Sequence, residues 1–211
     1  HELVWRHPFP GPGLGVRILC ADKADTDLQY PDVHTQALVE EMLRVHGGRA
    51  LPIRSVGVQG DGRTYRHAVA FFSETPREWL AEQATSIPNT SRVFNRVLLC
   101  TSHDRPQDFV FTPGGITRER ADLLREADAV VDEHMRAAGL YEKIWQFPVV
   151  LLPFGTRSGG QSVVLRPVVS TDAMTAKAAV LPDDVCAAMT RRLTQIGIDL
   201  VFLDLTNKPP A

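Results

Sequence analysis

The chain has 211 residues, 44% of them apolar and 23% charged, with a formal charge of −2. That length suits one domain of about 200 residues or two of about 100, each with a real hydrophobic core. The near-neutral charge leaves no electrostatic footprint for nucleic acid or an anionic membrane, no apolar run approaches the ~20 residues of a membrane span, and no signal-peptide pattern opens the sequence, so a cytoplasmic protein is expected.

Residues 6–14, RHPFPGPGL, hold three prolines and two glycines. They read as a stiff connector that presents backbone N–H groups, with Arg17 just beyond, to an anion; a plain linker explains the same composition. Leu38, Met42 and Val45 then keep helical spacing over 33–46, and Gly47-Gly48 stops the run. Two strands, 53–59 and 63–73, flank the short-turn signal Gly60-Asp61-Gly62. A helix follows with Thr75 as N-cap and Pro76 at its first position, leading into a strand over 92–101.

The same order recurs. Thr117 caps the longest helix, 118–138, with Leu124, Ala127, Val131 and Ala138 as its stripe and Gly139 at its end. Strands at 147–153 and 162–170, a helix at 182–195 carrying Val185, Met189, Leu193 and Ile196, and a strand at 200–206 complete the series. Asn95–Thr101 and Asp199–Thr206 occupy equivalent places. Two tandem αββαβ units are therefore predicted, forming an α+β fold, a two-layer α/β sandwich with largely antiparallel sheets. The expected divisions are a connector at 1–16, a first unit at 17–115 and a second at 116–211. The abrupt ends at His1 and Ala211 suggest a piece of a longer protein.

No self-sufficient active site is legible, and no catalytic residue is assigned. Ser158-Gly159-Gly160-Gln161-Ser162 resembles a pyrophosphate loop but lacks its aspartate and precedes a strand rather than a helix, so it reads as a turn. The histidines show no ligand spacing, and no metal site is expected. Cys20, Cys100 and Cys186 read as buried free thiols of a reducing cytosol. Arg17 is a candidate phosphate contact. Gln146, between Trp145 and Phe147, reads as a binding residue or as a core glutamine, and Lys208 stands just after the last strand. Arg54 and Arg63 flank the Gly-Asp-Gly turn as candidate phosphate or interface contacts.

Taken together, RHPFPGPGL (6–14), RSVGVQGDGRTY (54–65), GLYEKIWQFPVVLLP (139–153), STDAMTA (170–176) and DLTNKPPA (204–211) resemble the C-terminal region of glutamine-hydrolysing GMP synthetase, in the two-unit form found in animals. The resemblance implies a dimerisation domain that contributes to the XMP site of an enzyme making GMP from XMP, Mg-ATP and glutamine-derived ammonia. It further implies a homodimer, with amidotransferase and ATP pyrophosphatase domains as same-enzyme partners and no cofactor bound by this chain. It assigns XMP contacts to Arg17, Gln146 and Lys208. Two departures stand out: the family's phosphate-binding arginine, eight residues before the KPP lysine, is Leu200 here, and the family's tail continues past KPPA. Loss of a charged hydrogen bond worth roughly 1.5–3 kcal/mol predicts XMP binding weaker by about tenfold or more, unless another arginine substitutes. The rival expectation is a dimerisation module of a divergent paralogue with altered nucleotide recognition. An RNA-binding module is a weaker third reading, because a basic stripe and stacking aromatics are missing.

Overall fold

A computed structural model of the chain describes residues 13–59, 62–170 and 177–207. Its elements in chain order are α1 (Val33–His46), β1 (Arg49–Gln59), β2 (Gly62–Phe71), α2 (Arg77–Thr90), β3 (Phe94–Cys100), β4 (Val110–Phe111), α3 (Arg118–Ala137), β5 (Val149–Leu152), β6 (Phe154–Gly155), β7 (Ser162–Leu165), β8 (Val168–Val169), β9 (Lys177–Ala178), α4 (Asp183–Gln195) and β10 (Val201–Asp204). The doubled α-β-β-α-β order is the predicted one. The short strands β4, β6, β8 and β9 are additions: two-residue bridges carry too little alternation to read from sequence.

Six strands form one mostly antiparallel sheet in the order β1-β2-β3-β10-β7-β5. Each unit supplies three strands. Its first two pair antiparallel (β1 with β2, β5 with β7), and its last joins the second in parallel (β3 with β2, β10 with β7). The units meet where β3 and β10 pair antiparallel, with Leu99 opposite Leu203, Cys100 opposite Phe202 and Leu98 opposite Asp204. Rotation by half a turn about the Leu99–Leu203 pair exchanges the two halves. Cys100 then corresponds to Asp204, and Arg96 to Leu200. Phe71 and Leu165 lie beside that central pair in β2 and β7, so they too correspond, as do Phe72 and Arg166.

Helix residues and one sheet face build two core clusters, α1 and α2 over the first unit and α3 and α4 over the second. A third cluster, with Ala70, Leu98, Val164, Leu200 and Phe202, contains no helical residue and is covered by Leu19, Phe109 and Phe111. Residues 17–19 run along the second unit: Leu19 N–H donates to the Leu151 carbonyl (2.9 Å). Arg120, 7% exposed, fixes that segment by donating to the carbonyls of Leu19 and Gly115 (2.8 and 2.7 Å).

Several local expectations need adjusting. Leu38 and Val45 were expected to face the core from α1, yet they are 58% and 55% exposed, while Val39 is 4% exposed; the stripe is rotated by one residue. Thr75 caps nothing: Pro76 is the N-cap of α2, and the Thr75 hydroxyl donates to the His46 carbonyl (3.1 Å). Ala138 lies exposed beyond α3, whose buried stripe runs on through Met135. Cys100 and Cys186 are buried, but Cys20 is exposed, because its segment packs on the protein's outside. Thr117 does cap α3, accepting from the Arg120 N–H (3.3 Å). Residues 157–160 form the expected turn, with Gly159 at φ +75° and Gly160 so close to Asp199 that a Cβ would collide with its carboxylate. Strands β1 and β2 pair as far as Gln59 and Gly62. The RHPFPGP part of the connector, Gly60, Asp61, most of STDAMTA and the KPPA tail lie outside the described residues.

Because the seam between units is a strand ladder inside one sheet, both should unfold together. Phe202→Ala, which empties a wholly buried site in the central strand, is expected to cost about 3–5 kcal/mol. Urea denaturation followed by fluorescence and by far-UV circular dichroism should give one coincident transition. Two separated transitions would contradict a shared core.

Candidate functional site

The candidate residues divide between two regions. Arg54 and Arg63 sit on the β1–β2 hairpin at one edge of the sheet. Arg54 Nε donates to Asp25 (2.7 Å), and both residues line an open groove of about 820 Å³. Arg63 is exposed near the hairpin tip, opposite Val58.

Arg17 and Gln146 both lie in the second unit's half, near β5. Arg17 ends a 3-10 turn, Gly13–Arg17, and is 4% exposed. Its guanidinium forks onto Asp128 of α3, Nη1 to Oδ1 at 2.7 Å and Nη2 to Oδ2 at 3.1 Å, and Nη1 also donates to the Val149 carbonyl at 3.3 Å. This bidentate pair fastens the segment before β5 to α3 and leaves Asp128 facing a cavity of about 310 Å³ that Tyr141 and Phe147 also line. In the fold Arg17 lies beside an anion of the chain itself, Asp128.

Gln146 extends the sheet beyond β5. Its N–H donates to the Val168 carbonyl (3.2 Å), and Val168 N–H returns a bond to the Gln146 carbonyl (2.8 Å). Val168 in turn pairs with Ala178, whose N–H donates to Asn207 Oδ1 (3.1 Å). Strands lie about 4.8 Å apart. The ladder thus runs across roughly two strand spacings, about 10 Å, from Gln146 to Ala178, whose N–H reaches the side chain just before Lys208 in sequence. Lys208 itself lies outside the described residues.

Sequence reasoning missed a further charged group. Asp204, 3% exposed, receives Arg96 Nη1 (3.4 Å) and Arg166 Nε (3.3 Å) on the same oxygen, while its other oxygen accepts the Thr206 N–H (2.9 Å). Burial and the like charge of Arg96 push the Arg166 guanidinium below its ordinary pKa, and Asp204 opposes them. A signal was present: the match of Asn95–Thr101 with Asp199–Thr206 already sets Arg96 against Leu200. Leu200 itself is wholly buried in the apolar cluster opposite the helices. Among the described residues, no group of three His, Cys, Asp or Glu is placed to hold a metal, and no helix is long and apolar enough to cross a membrane.

The elements define an α+β domain of two fused units that share one six-stranded sheet. The model of the GMP synthase C terminal domain matches residues 133–211. Over 99% of the chain, it is 42% identical to a probable GMP synthase [glutamine-hydrolyzing] of Leptospira interrogans, covering 35% of that protein. It is 30% identical to the GMP synthase [glutamine-hydrolyzing] of Dictyostelium discoideum, again over 99% of the chain and 36% of the relative. A GMP synthase of Streptomyces avermitilis matches at 49% identity over 46% of the chain, a length close to one unit, and 20% of the relative. Residues 133–211 thus match the GMP synthase C terminal domain family, and the chain spans about a third of the length of the first two relatives.

Removing the acceptor of the Arg17 fork tests its structural weight. Asp128→Asn is expected to lower stability by about 1.5–3 kcal/mol, read as a shifted urea midpoint. The thiols should also differ. Burial raises the pKa of Cys100 and Cys186, keeping them as unreactive neutral thiols near pH 8, whereas Cys20 is exposed. A chromogenic disulfide reagent should titrate a single thiol at once and the other two only on unfolding.

Proposed function

We propose that this chain is the dimerisation and XMP-binding domain of a glutamine-hydrolysing GMP synthetase, located in the cytoplasm. The observation that carries the reading is likeness across both units to proteins named GMP synthase, over 99% of the chain. In this reading the complete enzyme adenylates the 2-oxygen of XMP with Mg-ATP, then displaces AMP with ammonia released from glutamine. The amidotransferase and ATP pyrophosphatase domains of the same enzyme perform that chemistry, and this chain holds the nucleotide.

The proposed XMP residues are Arg17, Gln146 and Lys208, with distinct roles. Arg17 pairs with Asp128 and donates to the carbonyl of Val149, three residues after Gln146, so in this reading it serves the XMP site by positioning Gln146. Gln146 supplies amide hydrogen bonds to the nucleotide. Lys208 follows the Asn207 that the ladder ties to Gln146, which supports a cation acting on the same ligand. Homodimerisation belongs to the same proposal. Because β3 and β10 are consumed by each other inside one chain, its contact uses other surfaces, which leaves Arg54 and Arg63 as interface candidates.

Titration calorimetry of the full-length enzyme with XMP tests the reading. Gln146→Ala should weaken binding by about 3–10-fold and Lys208→Ala by about tenfold or more, the ranges for a neutral and a charged hydrogen bond. Absence of binding at millimolar XMP would sink the proposal and favour a dimerisation module without nucleotide recognition.

A further inference from the structure

The β1–β2 hairpin runs past β3 as a two-stranded arm, because β2 pairs with β3 only from His67 onward. Its two faces differ. One rests on Asn95, whose amide donates to the Ser55 and Thr64 carbonyls (2.9 and 3.1 Å) and accepts from the Thr64 hydroxyl (3.1 Å). Gly57, opposite Thr64, lies so near Asn95 that a Cβ would collide with it. Side chains alternate along a strand, so the next pair, Val56 and Tyr65, falls on the other face. That face is open: Val56 and Tyr65 are 42% and 62% exposed, and Arg63 is exposed nearer the tip. At its base, residues 19–27 and Pro52–Arg54 line the groove of about 820 Å³. Arg54 and His67 lie against Asp25 there (2.7 and 3.5 Å). Asp22 and Asp27 are left as exposed carboxylates beside Lys23. From base to tip the surface is therefore acidic, apolar and basic.

We propose that two chains associate through these arms, the tip of each docking in the acidic groove of the other about a two-fold axis at Tyr65. The inference rests on the homodimer proposed above and names its surface. A two-fold contact needs a patch that complements itself after half a turn, and the order acidic, apolar, basic does so. Val56 and Tyr65 meet their own copies at the centre, where aromatic side chains are favoured, and burial there removes their exposed apolar surface from water. Each Arg63 then faces Asp22 and Asp27 of the partner subunit. Within one chain that meeting is ruled out. Arg63 lies opposite Val58, four residues along the strand from Arg54, and an extended strand covers about 13 Å in that span. The other edges of the sheet are occupied. Strands β3 and β10 pair with each other, and residues 18 and 19 run along β5. Beside β1 the Asp25 N–H donates to the Pro52 carbonyl (3.0 Å), which leaves the arm beyond Arg54 clear of that segment.

The test uses the full-length protein. Sedimentation equilibrium should show a dimer whose dissociation constant rises with added sodium chloride, because the charges at its rim are screened. Arg63→Glu and Asp27→Arg should each weaken the dimer by about tenfold or more, since each substitution counts twice in a symmetric contact. Combining the two should recover most of the loss. In a Cys20→Ser background, which removes the exposed thiol, Tyr65→Cys should form a disulfide between chains on mild oxidation. All of these substitutions fall on exposed side chains, and circular dichroism should show each variant folded. A dimer that neither single variant weakens, or a double variant no stronger than the singles, would overturn this contact and leave dimerisation to another surface. A dimer that forms no disulfide at residue 65 would overturn the axis. A monomer at every accessible concentration would remove the homodimer itself, while XMP titration continues to judge the nucleotide reading separately.

Discussion

The ladder between β3 and β10 is the constraint on which the rest of the structure depends. Each unit alone is a three-stranded sheet whose last strand has one bare edge, and an unpaired, apolar edge invites association with another chain. Joined through Leu99 and Leu203, the two edges satisfy each other, and the strands that were outermost become the centre of a six-stranded sheet. Burial follows from that position: Val97, Val201 and Phe202 are wholly buried, and Leu99 and Leu203 nearly so. The pairing also decides which side chains become neighbours. It sets Arg96 of one unit against Asp204 of the other (3.4 Å) and places the polypeptide leading to Lys208 beside the first unit rather than in solvent.

The outer edges are managed differently. Residues 18 and 19 bridge and bond to Leu151 along β5, and Asp25 N–H donates to the Pro52 carbonyl beside β1 (3.0 Å). The segment after the connector therefore does more than link: it covers strand edges, and Arg17 and Arg120 anchor it. A buried arginine with a bidentate carboxylate is a fixed point, because removing either partner leaves a charge that the interior cannot solvate. Through Asp128 and the Val149 carbonyl, Arg17 ties this segment to both α3 and β5.

Much of the fold was legible in the residues, for identifiable reasons. Thr117 and Gly139 mark the ends of α3 by cap chemistry, and the unbroken apolar runs at 97–100 and 201–203 fit strands buried on both faces. The predicted divisions at 16 and 115 rest on composition, whereas contacts across them, such as β4 with β6, are long-range and leave no local trace. The rotated stripe of α1 has a simple cause: Leu38 and Val39 are adjacent and equally apolar, so spacing alone does not choose between them. The site was legible as residue types but not as pairings. Nothing local marks Asp128 as the partner of Arg17, 111 residues away, or shows that Arg96 and Arg166, 70 residues apart in the sequence, share one carboxylate. The equivalence of the two last strands was the usable clue, and it becomes structural only when the strands are known to run antiparallel.

The inequality of the two ends of the seam has a physical logic that fusion alone permits. In a symmetric pair of identical chains each residue appears twice, so a charged cluster on one side of the dyad is repeated on the other. Both then carry the desolvation cost of buried ions. Once the two halves lie in one chain, each position mutates alone. One end can be rebuilt from Leu200, Cys100 and Phe72, exchanging ionic groups for apolar surface that strengthens the core. The other keeps Asp204 between Arg96 and Arg166, an ionic cluster at the end of an otherwise apolar seam. The resulting pattern, an apolar end and an ionic end related by a half-turn, sets Arg96, Asp204 and Arg166 apart from their counterparts Leu200, Cys100 and Phe72.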